Sequence, residues 1–507
     1  MQDFHHPDRR QLVFGLKVWT GIFLYALLAG LAIQLVVLPY FFPQLHAGNG
    51  LVAGRDWVGF HAQAVQEAQN ILQGGWDKFR FRPDGDNAII GIAAAFYALF
   101  SPHPWTLLPL NAVMFATGGV ALFSILRRIG LAENESFVAL LPYLFFPSSL
   151  LQYAQIHKDV FCTASVLVVL WTWIVLLSRQ RTFDQIIGLL LVNFAALVVM
   201  SVFRPYFMFP FLGMVGVLLV FCILRITWKL ARGKGELRAV RVNELRFNLQ
   251  SVLILLVLGA CTYVMSVSYV DLQLRPIPAD VAPARLVVPT FSWHSNENVR
   301  SADSSRVVTE EDARNVREIQ ECRLVVLREG EFVINTINRM FLKVAVARAG
   351  FTSSGGTTAA SNIDKNQNFC KNADLIRYIP RALQIAFFAP FPSTWFSLEK
   401  RNSSAIEIYI SAVEMFYCYI AYAGLLYWAF NYRRWNVALM LPVTFAFGLC
   451  LLLGLTVANV GTLYRMRFPF AMIFVSIGMA GILQVAKMRP PWVEAGDSVG
   501  DESTRNR

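Results

Sequence analysis

Long apolar stretches separated by short polar loops run through most of the chain. Ten of these stretches are close to the roughly 20 residues that a helix needs to cross the hydrocarbon core of a bilayer. They predict an all-α polytopic membrane protein with about ten transmembrane helices. The predicted spans are 18–42, 106–126, 137–154, 160–178, 185–203, 206–224, 249–270, 405–430, 436–458 and 468–486.

Two shorter apolar stretches do not fit as spans. Residues 88–100 are too short, and residues 376–391 carry Arg377 and Arg381 and are interrupted by prolines. Both predict helices that lie in the outer interface with their apolar faces towards lipid. If either of them were a full span, the basic loops that follow it would lie on the opposite side of the membrane from the basic loops that precede it.

Composition and charge agree with this class of protein. The chain has 507 residues, of which 56% are hydrophobic and 15% charged, and a soluble protein could not bury that much apolar surface. The net charge of +12 lies mostly in short loops beside the spans. That placement is typical of anchoring at an inner leaflet and argues against nucleic acid as a partner.

The basic loops also predict the topology. With ten spans, these loops all face the cytoplasm together with both termini. The densest of them is 225–248, and the other basic residues on this side are Arg9, Arg10, Lys17, Arg127, Arg128, Arg179, Arg181, Arg433, Arg434, Lys487 and Arg489.

The spans divide the chain into three parts. Residues 1–270 form an N-terminal transmembrane module whose first outer loop is 43–105. Residues 271–404 form one mixed outer segment, and residues 405–507 form a C-terminal transmembrane module with a cytoplasmic tail.

The outer segment 271–404 is predicted to contain a charged helix at about 309–349, followed by a polar loop at 351–372. Its two cysteines, Cys322 and Cys370, would lie in a compartment where disulfides form. We expect them to be bonded to each other.

The charged residues that sit beside spans on the outer side form the candidate chemistry. Charges near lipid are expensive, so a cluster on one face indicates a functional site. In the first outer loop, Asp56 precedes a helical pattern at 58–73 that ends at Gly74-Gly75. Capping of this helix is the alternative role for Asp56.

Further cations occur at the other outer junctions. Arginine suits a phosphate because its planar fork donates two parallel hydrogen bonds and keeps its charge near lipid. Snorkelling of Lys158, capping by Asp159 and anchoring of single arginines to lipid headgroups are the alternatives. The residues concerned are Arg80, Arg82, His157, Lys158, Asp159, Arg204, Arg465 and Arg467.

These motifs together resemble the glycosyltransferase C superfamily, which comprises multi-span enzymes that use polyprenyl-phosphate-linked sugars. The resemblance rests on the first-loop Asp56, the Lys158-Asp159 junction after Pro147-Ser148-Ser149, and the terminal Arg465-Met466-Arg467 motif. It implies transfer of a sugar from a polyprenyl-phosphate donor to a glycan, lipid or protein acceptor. The expected location is the periplasmic face of a bacterial inner membrane.

The resemblance implies roles for individual residues. Asp56 would be the catalytic base in an inverting transfer. The donor phosphate would be held by Lys158, Arg204, Arg465 and Arg467. Supporting roles would fall to His157, Asp159, Arg80 and Arg82.

A bound cation is left open. Many relatives have two adjacent acids in the first loop, whereas Asp56 is followed by Trp57, and one carboxylate rarely suffices for an all-protein site. Asp84 and Asp86 are the best candidates for a metal or a second acid, although a glycine turn is the favoured explanation for this pair. No other cofactor is expected.

Other functions compete with this one. An oligosaccharide polymerase or ligase would also use polyprenyl-linked donors and outward-facing arginines. A lipid-linked sugar flippase or exporter would need polar residues through the middle of several spans, and a non-catalytic scaffold would not explain the clustering of charges.

Overall fold

The computed structural model describes residues 9–53, 56–83, 87–178, 181–232, 238–273, 372–395, 405–431 and 437–487, together with 341, 343–345, 347, 348, 351, 362–364, 367 and 369. Within these residues all regular structure is helical, as the sequence predicts, and backbone pairing between extended segments is limited to two isolated bridges. The helices are α1 Arg9–Ala32, α2 Asp56–Gly74, α3 Ala88–Leu99, α4 Leu108–Ile129, α5 Glu133–Phe145, α6 Pro147–Tyr153, α7 Asp159–Ser178, α8 Phe183–Phe203, α9 Met208–Arg232, α10 Arg238–Gln273, α11 Asn372–Phe388, α12 Ala405–Asn431, α13 Val437–Thr456, α14 Val460–Met466 and α15 Phe468–Lys487.

Nine helical segments of the described chain are long and apolar enough to cross a membrane, and a bent pair of helices brings the number to ten if it counts as one span. The chain is therefore an integral membrane protein. The segments are Val13–Phe41, Pro104–Ile129, Asp159–Ser178, Phe183–Phe203, Pro205–Leu224, Leu249–Ser266, Ile408–Phe430, Leu439–Thr456 and Phe468–Val485, and the bent pair is α5 with α6.

Helix α7 is the centre of the bundle. Of its most apolar window, 94% is buried inside the protein, against 28% for the first span. Neighbours α4, α8, α13 and α15 surround it, so it is apolar on all sides, as expected for a helix that faces protein rather than lipid. Asp159, the first residue of this central helix, is thereby fixed deep in the molecule.

The predicted span 137–154 is not one straight helix. Helices α5 and α6 meet at an angle of 64°, at the step from Phe146 to Pro147. Pro147 has no backbone N–H and suits the first position of a new helix rather than the continuation of an old one. The residue before it, Phe146, is extended with ψ 126°, as the proline ring requires.

The backbone that follows the break is held by amide side chains from other helices. Gln34 donates from Nε2 to the carbonyl of Ala154 at 2.5 Å. Asn111 donates from Nδ2 to the carbonyls of Tyr153 at 2.7 Å and Gln155 at 3.1 Å. In a bilayer each carbonyl left without a donor would be costly, so these bonds permit irregular backbone at this depth.

The side chain of Gln155 forms hydrogen bonds with the backbone of the first predicted outer loop. Its Oε1 accepts from the backbone N–H of Val52 at 3.2 Å, and its Nε2 donates to the carbonyl of Gly50 at 3.1 Å. Trp57 donates from Nε1 to the carbonyl of Val52 at 2.7 Å. The start of α2 is thus fixed against the segment that carries His157.

The two predicted interfacial helices are present, but the prediction that their apolar faces point to lipid is wrong. Helix α3 packs on α2 and buries most of its residues, and α11 packs on α13 with its apolar side buried. The contact between α11 and α13 is close because Gly454 has no side chain. A Cβ on Gly454 would lie 2.2 Å from the carbonyl oxygen of Ala382. Most of the apolar side chains of α3 and α11 therefore face protein.

Small residues bring α12 and α15 together. A Cβ added to Gly424 would lie 2.3 Å from the carbonyl oxygen of Gly478, and one added to Gly478 would lie 2.0 Å from that of Ala421. A Cβ on Gly481 would come equally close to the carbonyl oxygen of Gly424. Such close backbone contact is a usual way for helices to associate in membranes.

Arg348 anchors the described end of the predicted outer segment. Its guanidinium donates to the carbonyls of Asp364 and Leu455 and to the hydroxyl of Tyr378. The carboxylate of Asp364 in turn accepts two bonds from Arg381, at 2.9 and 3.2 Å. Hydrogen bonds from Arg381 and Tyr378 hold the pKa of Asp364 below its usual value despite the opposing effect of burial. This cluster joins the segment to α11 and α13.

Several predicted features lie outside the described residues. They are Cys322 and Cys370, most of the charged helix at about 309–349, and most of the polar loop at 351–372.

Candidate functional site

Side chains from four separate junctions meet at one end of the bundle. They form a continuous series of contacts from Asp56 through Arg465, His157 and Asp159 to Arg204. For these junctions to meet, the bent pair α5 and α6 must return the chain to the same end of the bundle. Counted as one span, the pair brings the described residues to ten candidate spans, the number that the sequence predicts.

Asp56 and Arg465 form the exposed part of the series. Asp56 is the first residue of α2, and its Oδ2 lies 3.5 Å from Nη2 of Arg465. The side chains are 40% and 20% exposed, so both remain accessible to a ligand. Asp56 thus lies in the first turn of a helix, where an acid is favourable, and also lies beside a cation.

His157 connects the exposed pair to the interior. Its Nε2 lies 3.3 Å from Nη1 of Arg465, and its Nδ1 lies 3.0 Å from Oδ2 of Asp159. Because a guanidinium only donates, its contact selects a neutral ring whose Nε2 accepts. Nδ1 faces both Oδ2 of Asp159 and the backbone N–H of Asp159, the latter at 3.2 Å.

The environment of His157 keeps the ring neutral. The residue is 1% exposed, and the edge of its ring faces Trp57. Burial lowers the pKa of His157 below 6.5, and the guanidiniums of Arg465 and Arg204 lower it further, against the opposing effect of Asp159. At neutral pH the imidazole is therefore uncharged. Its role is to orient Arg465 and Asp159 through its two contacts.

Asp159 and Arg204 form a buried ion pair at the inner end of the series. Arg204 also donates from Nη1 to the hydroxyl of Tyr206. A buried charge is tolerated only when it is paired and hydrogen-bonded. Arg204 meets that condition at Oδ1 of Asp159, while Oδ2 lies 3.0 Å from Nδ1 of His157 without a hydrogen bond of its own. Both residues are thereby committed to protein partners.

Three further predicted residues lie around this series. Lys158 is partly buried and donates from Nζ to Oδ1 of Asn87 at 3.2 Å. Arg80 forms a two-bond pair with the buried Glu67 of α2. Arg82 donates from Nη2 to the carbonyl of Val202 at 3.1 Å, two residues before Arg204.

Arg467 lies elsewhere. It is buried, and it donates to the carbonyls of Ala386 and Ala389, each at 2.5 Å, and of Ile385 at 3.4 Å. A cation is favourable at the C-terminal end of a helix, where carbonyls lack partners within the helix. Arg467 therefore caps α11.

Sequence reasoning missed Glu414. This carboxylate is buried within an apolar span, where its Oε1 accepts from the backbone N–H of Ser148 at 2.6 Å and its Oε2 accepts from the hydroxyl of Tyr464. Burial raises the pKa of Tyr464, as does the carboxylate beside it, so its hydroxyl stays protonated and donates. An acidic residue inside the span 405–430 was the available signal.

The candidate metal ligands Asp84 and Asp86 lie outside the described residues. In the part of the chain that the structure describes, histidine, cysteine and acidic side chains do not come together in groups of three or more that could hold a metal ion.

No protein-family model matches the chain, and no curated protein matches its sequence significantly.

Proposed function

We propose that this protein transfers a sugar from a polyprenyl-phosphate donor to an acceptor hydroxyl at the outer face of a membrane. The observation that carries the proposal is the accessible Asp56 carboxylate beside Arg465, backed by the buried series through His157 and Asp159 to Arg204. An exposed acid and a cation at the end of a membrane bundle supply a base and a phosphate ligand side by side.

The cations have different roles in the proposed function, according to how deeply each is buried. Arg465 and Lys158 keep part of their side chains accessible, so they bind the donor phosphate. Arg204 and Arg467 are buried and bonded to protein groups, so they position other residues. Arg80, paired with Glu67, stabilises the turn after α2.

In the proposed reaction, Asp56 accepts the proton of the acceptor hydroxyl. The acceptor oxygen forms a bond to the anomeric carbon on the face opposite the phosphate, which inverts that centre. The bond between the anomeric carbon and the phosphate oxygen breaks, and its electron pair leaves with the polyprenyl phosphate. Arg465 and Lys158 stabilise the negative charge that develops there.

The site lies at the ends of spans, where a donor can keep its polyprenyl chain in the bilayer while its phosphate reaches Arg465. The proposed setting is the periplasmic side of a bacterial inner membrane, with a glycan, lipid or protein as acceptor. Asp84 and Asp86 would be the ligands of any divalent cation.

Purified protein in nanodiscs, assayed with a panel of polyprenyl-phosphate sugars, tests this function. Wild-type protein should release polyprenyl phosphate and form a glycosylated product with at least one donor. Arg465→Ala should weaken binding of undecaprenyl phosphate by roughly tenfold to hundredfold, the usual effect of losing charge-assisted hydrogen bonds.

Lys17→Ala is the matched control, because it removes an exposed positive charge near the start of the first span, at the other end of the bundle. Turnover of diphosphate-linked oligosaccharides alone would favour the polymerase or ligase alternative. Absence of turnover and of binding with every donor would contradict the proposal.

A further inference from the structure

Glu414 is a carboxylate inside the apolar segment Ile408–Phe430 and is only 2% exposed. Ionisable side chains in such segments are costly and indicate a function by default. Nothing in the reaction proposed above uses Glu414 directly. Its two hydrogen-bond donors are neutral groups, the backbone N–H of Ser148 and the hydroxyl of Tyr464.

The two donors belong to the two halves of the candidate site. Ser148 lies in the first turn of α6, and the chain after α6 leads directly to His157. Tyr464 lies in α14 and directly precedes Arg465. Glu414 is therefore bonded to both elements behind the point where Arg465 and His157 approach to 3.3 Å.

We propose that Glu414 is a positioning residue that holds α6 and α14 at the spacing at which Arg465 reaches both His157 and Asp56. Only its effect on ligand binding rests on the proposed function; its effect on the placement of Arg465 does not. Glu414 itself touches no substrate. The hydrogen bonds that its side chain accepts, rather than its charge, perform this role.

Substitutions can separate hydrogen bonding from charge. In Glu414→Gln, the amide oxygen can accept from Ser148 while the amide nitrogen donates to the oxygen of Tyr464, so both links persist without charge. Glu414→Ala removes both links, and Tyr464→Phe removes one. Tyr419→Phe is the control, because the hydroxyl of Tyr419 on the same helix bonds to the carbonyl of Phe388 instead.

The measurement is the rate at which phenylglyoxal modifies Arg465, followed by mass spectrometry with Arg127 as the internal reference. Tyr464→Phe should raise the rate at Arg465 by about fivefold, the population change that corresponds to losing one hydrogen bond. Glu414→Ala, which loses both hydrogen bonds, should raise the rate further. Glu414→Gln and Tyr419→Phe should stay within about twofold of wild type.

A rate at Arg465 that is unchanged in Glu414→Ala and Tyr464→Phe would overturn the proposal. So would a Glu414→Gln variant as altered as Glu414→Ala, because charge would then be the active property. If Glu414→Ala does not fold, Tyr464→Phe and Glu414→Gln decide the question.

Binding of undecaprenyl phosphate to the same variants in nanodiscs links the placement of Arg465 to the site. It should weaken in Glu414→Ala and be retained in Glu414→Gln. If wild-type protein does not bind undecaprenyl phosphate, the proposed function fails, while the modification rates at Arg465 still decide the role of Glu414.

Discussion

Asp56 is the residue on which the proposed chemistry depends. Asp56→Asn keeps the shape of the side chain but loses the basic oxygen, so sugar transfer should fall by about a hundredfold to ten-thousandfold, the usual contribution of a general base. Binding of undecaprenyl phosphate should change little, because Arg465 remains. Both are measured on protein in nanodiscs, with transfer followed as product formation.

Asp77→Asn provides the control, since Asp77 is an exposed acid just after the same helix, α2. Full transfer by Asp56→Asn would mean that this carboxylate only stabilises the start of α2.

His157 makes folding stability depend on pH. Burial lowers its pKa in the folded protein below the value of 6.5 that applies to the unfolded chain. As the pH falls below about 6.5, the unfolded state therefore takes up the proton first, and the free energy of unfolding decreases until the folded-state pKa is reached. Above that window His157 is neutral in both states and contributes no pH dependence.

Thermal unfolding in detergent between about pH 8 and about pH 5 checks this expectation. The gap in midpoint between wild type and His157→Gln should shrink as the pH falls, because only wild type carries the titrating ring. A gap that is constant across this range would show that His157 titrates alike in both states.

At the scale of helices, the small-residue contact between α12 and α15 has a direct consequence. In Gly478→Ala the new Cβ would meet the carbonyl oxygen of Ala421 at 2.0 Å, so the helices must separate. We expect a loss of about 1–3 kcal/mol in the free energy of unfolding, as for other overpacked contacts. Gly448→Ala in α13 is the matched control, since its Cβ would meet open space, and it should be neutral or slightly stabilising.

The long helices could be predicted from the sequence because the length of an apolar stretch alone decides whether it spans a bilayer. The break between α5 and α6 is harder to predict from the sequence, although Pro147 marks its position. The amides that make this break tolerable come from distant parts of the chain, such as Asn111 and Gln34, the latter 120 residues from its partner Ala154. No local pattern reveals such partners.

The candidate site, like the fold, could be predicted from the sequence only in part. Sequence position placed Asp56, His157, Asp159, Arg204 and Arg465 at junctions on one side, and the structure brings them into contact. The partners that decide which cations stay accessible, such as Glu67 beside Arg80, are set by tertiary packing.

Arg467 is an instructive case. Arg465 lies in α14, whereas Arg467 follows the end of that helix and precedes α15. Arg465 contacts His157, and Arg467 donates to the end of α11. The sequence places both residues before the last span and does not separate their roles.

At the scale of the whole molecule, a topology of ten spans predicts that the C-terminal end of α2 and the turn between α4 and α5 lie on opposite sides of the membrane. In a background without the seven native cysteines, Asp77→Cys should react with a membrane-impermeant maleimide in intact cells. Ala132→Cys, at an equally exposed position, should react only after permeabilisation. The reverse pattern would contradict the cytoplasmic placement of the basic loops.

The amide side chains that form hydrogen bonds around residues 153–155 restrict which substitutions the chain tolerates. Gln34 and Asn111 donate to the carbonyls of residues 153–155, and Gln155 donates to the carbonyl of Gly50 in the first outer loop, where water would serve in a soluble protein. An apolar replacement of similar size at any of the three would fill the space and still leave a carbonyl without a donor. At these three positions the polarity of the side chain therefore matters more than its volume, the reverse of what holds for the apolar residues packed elsewhere in the bundle.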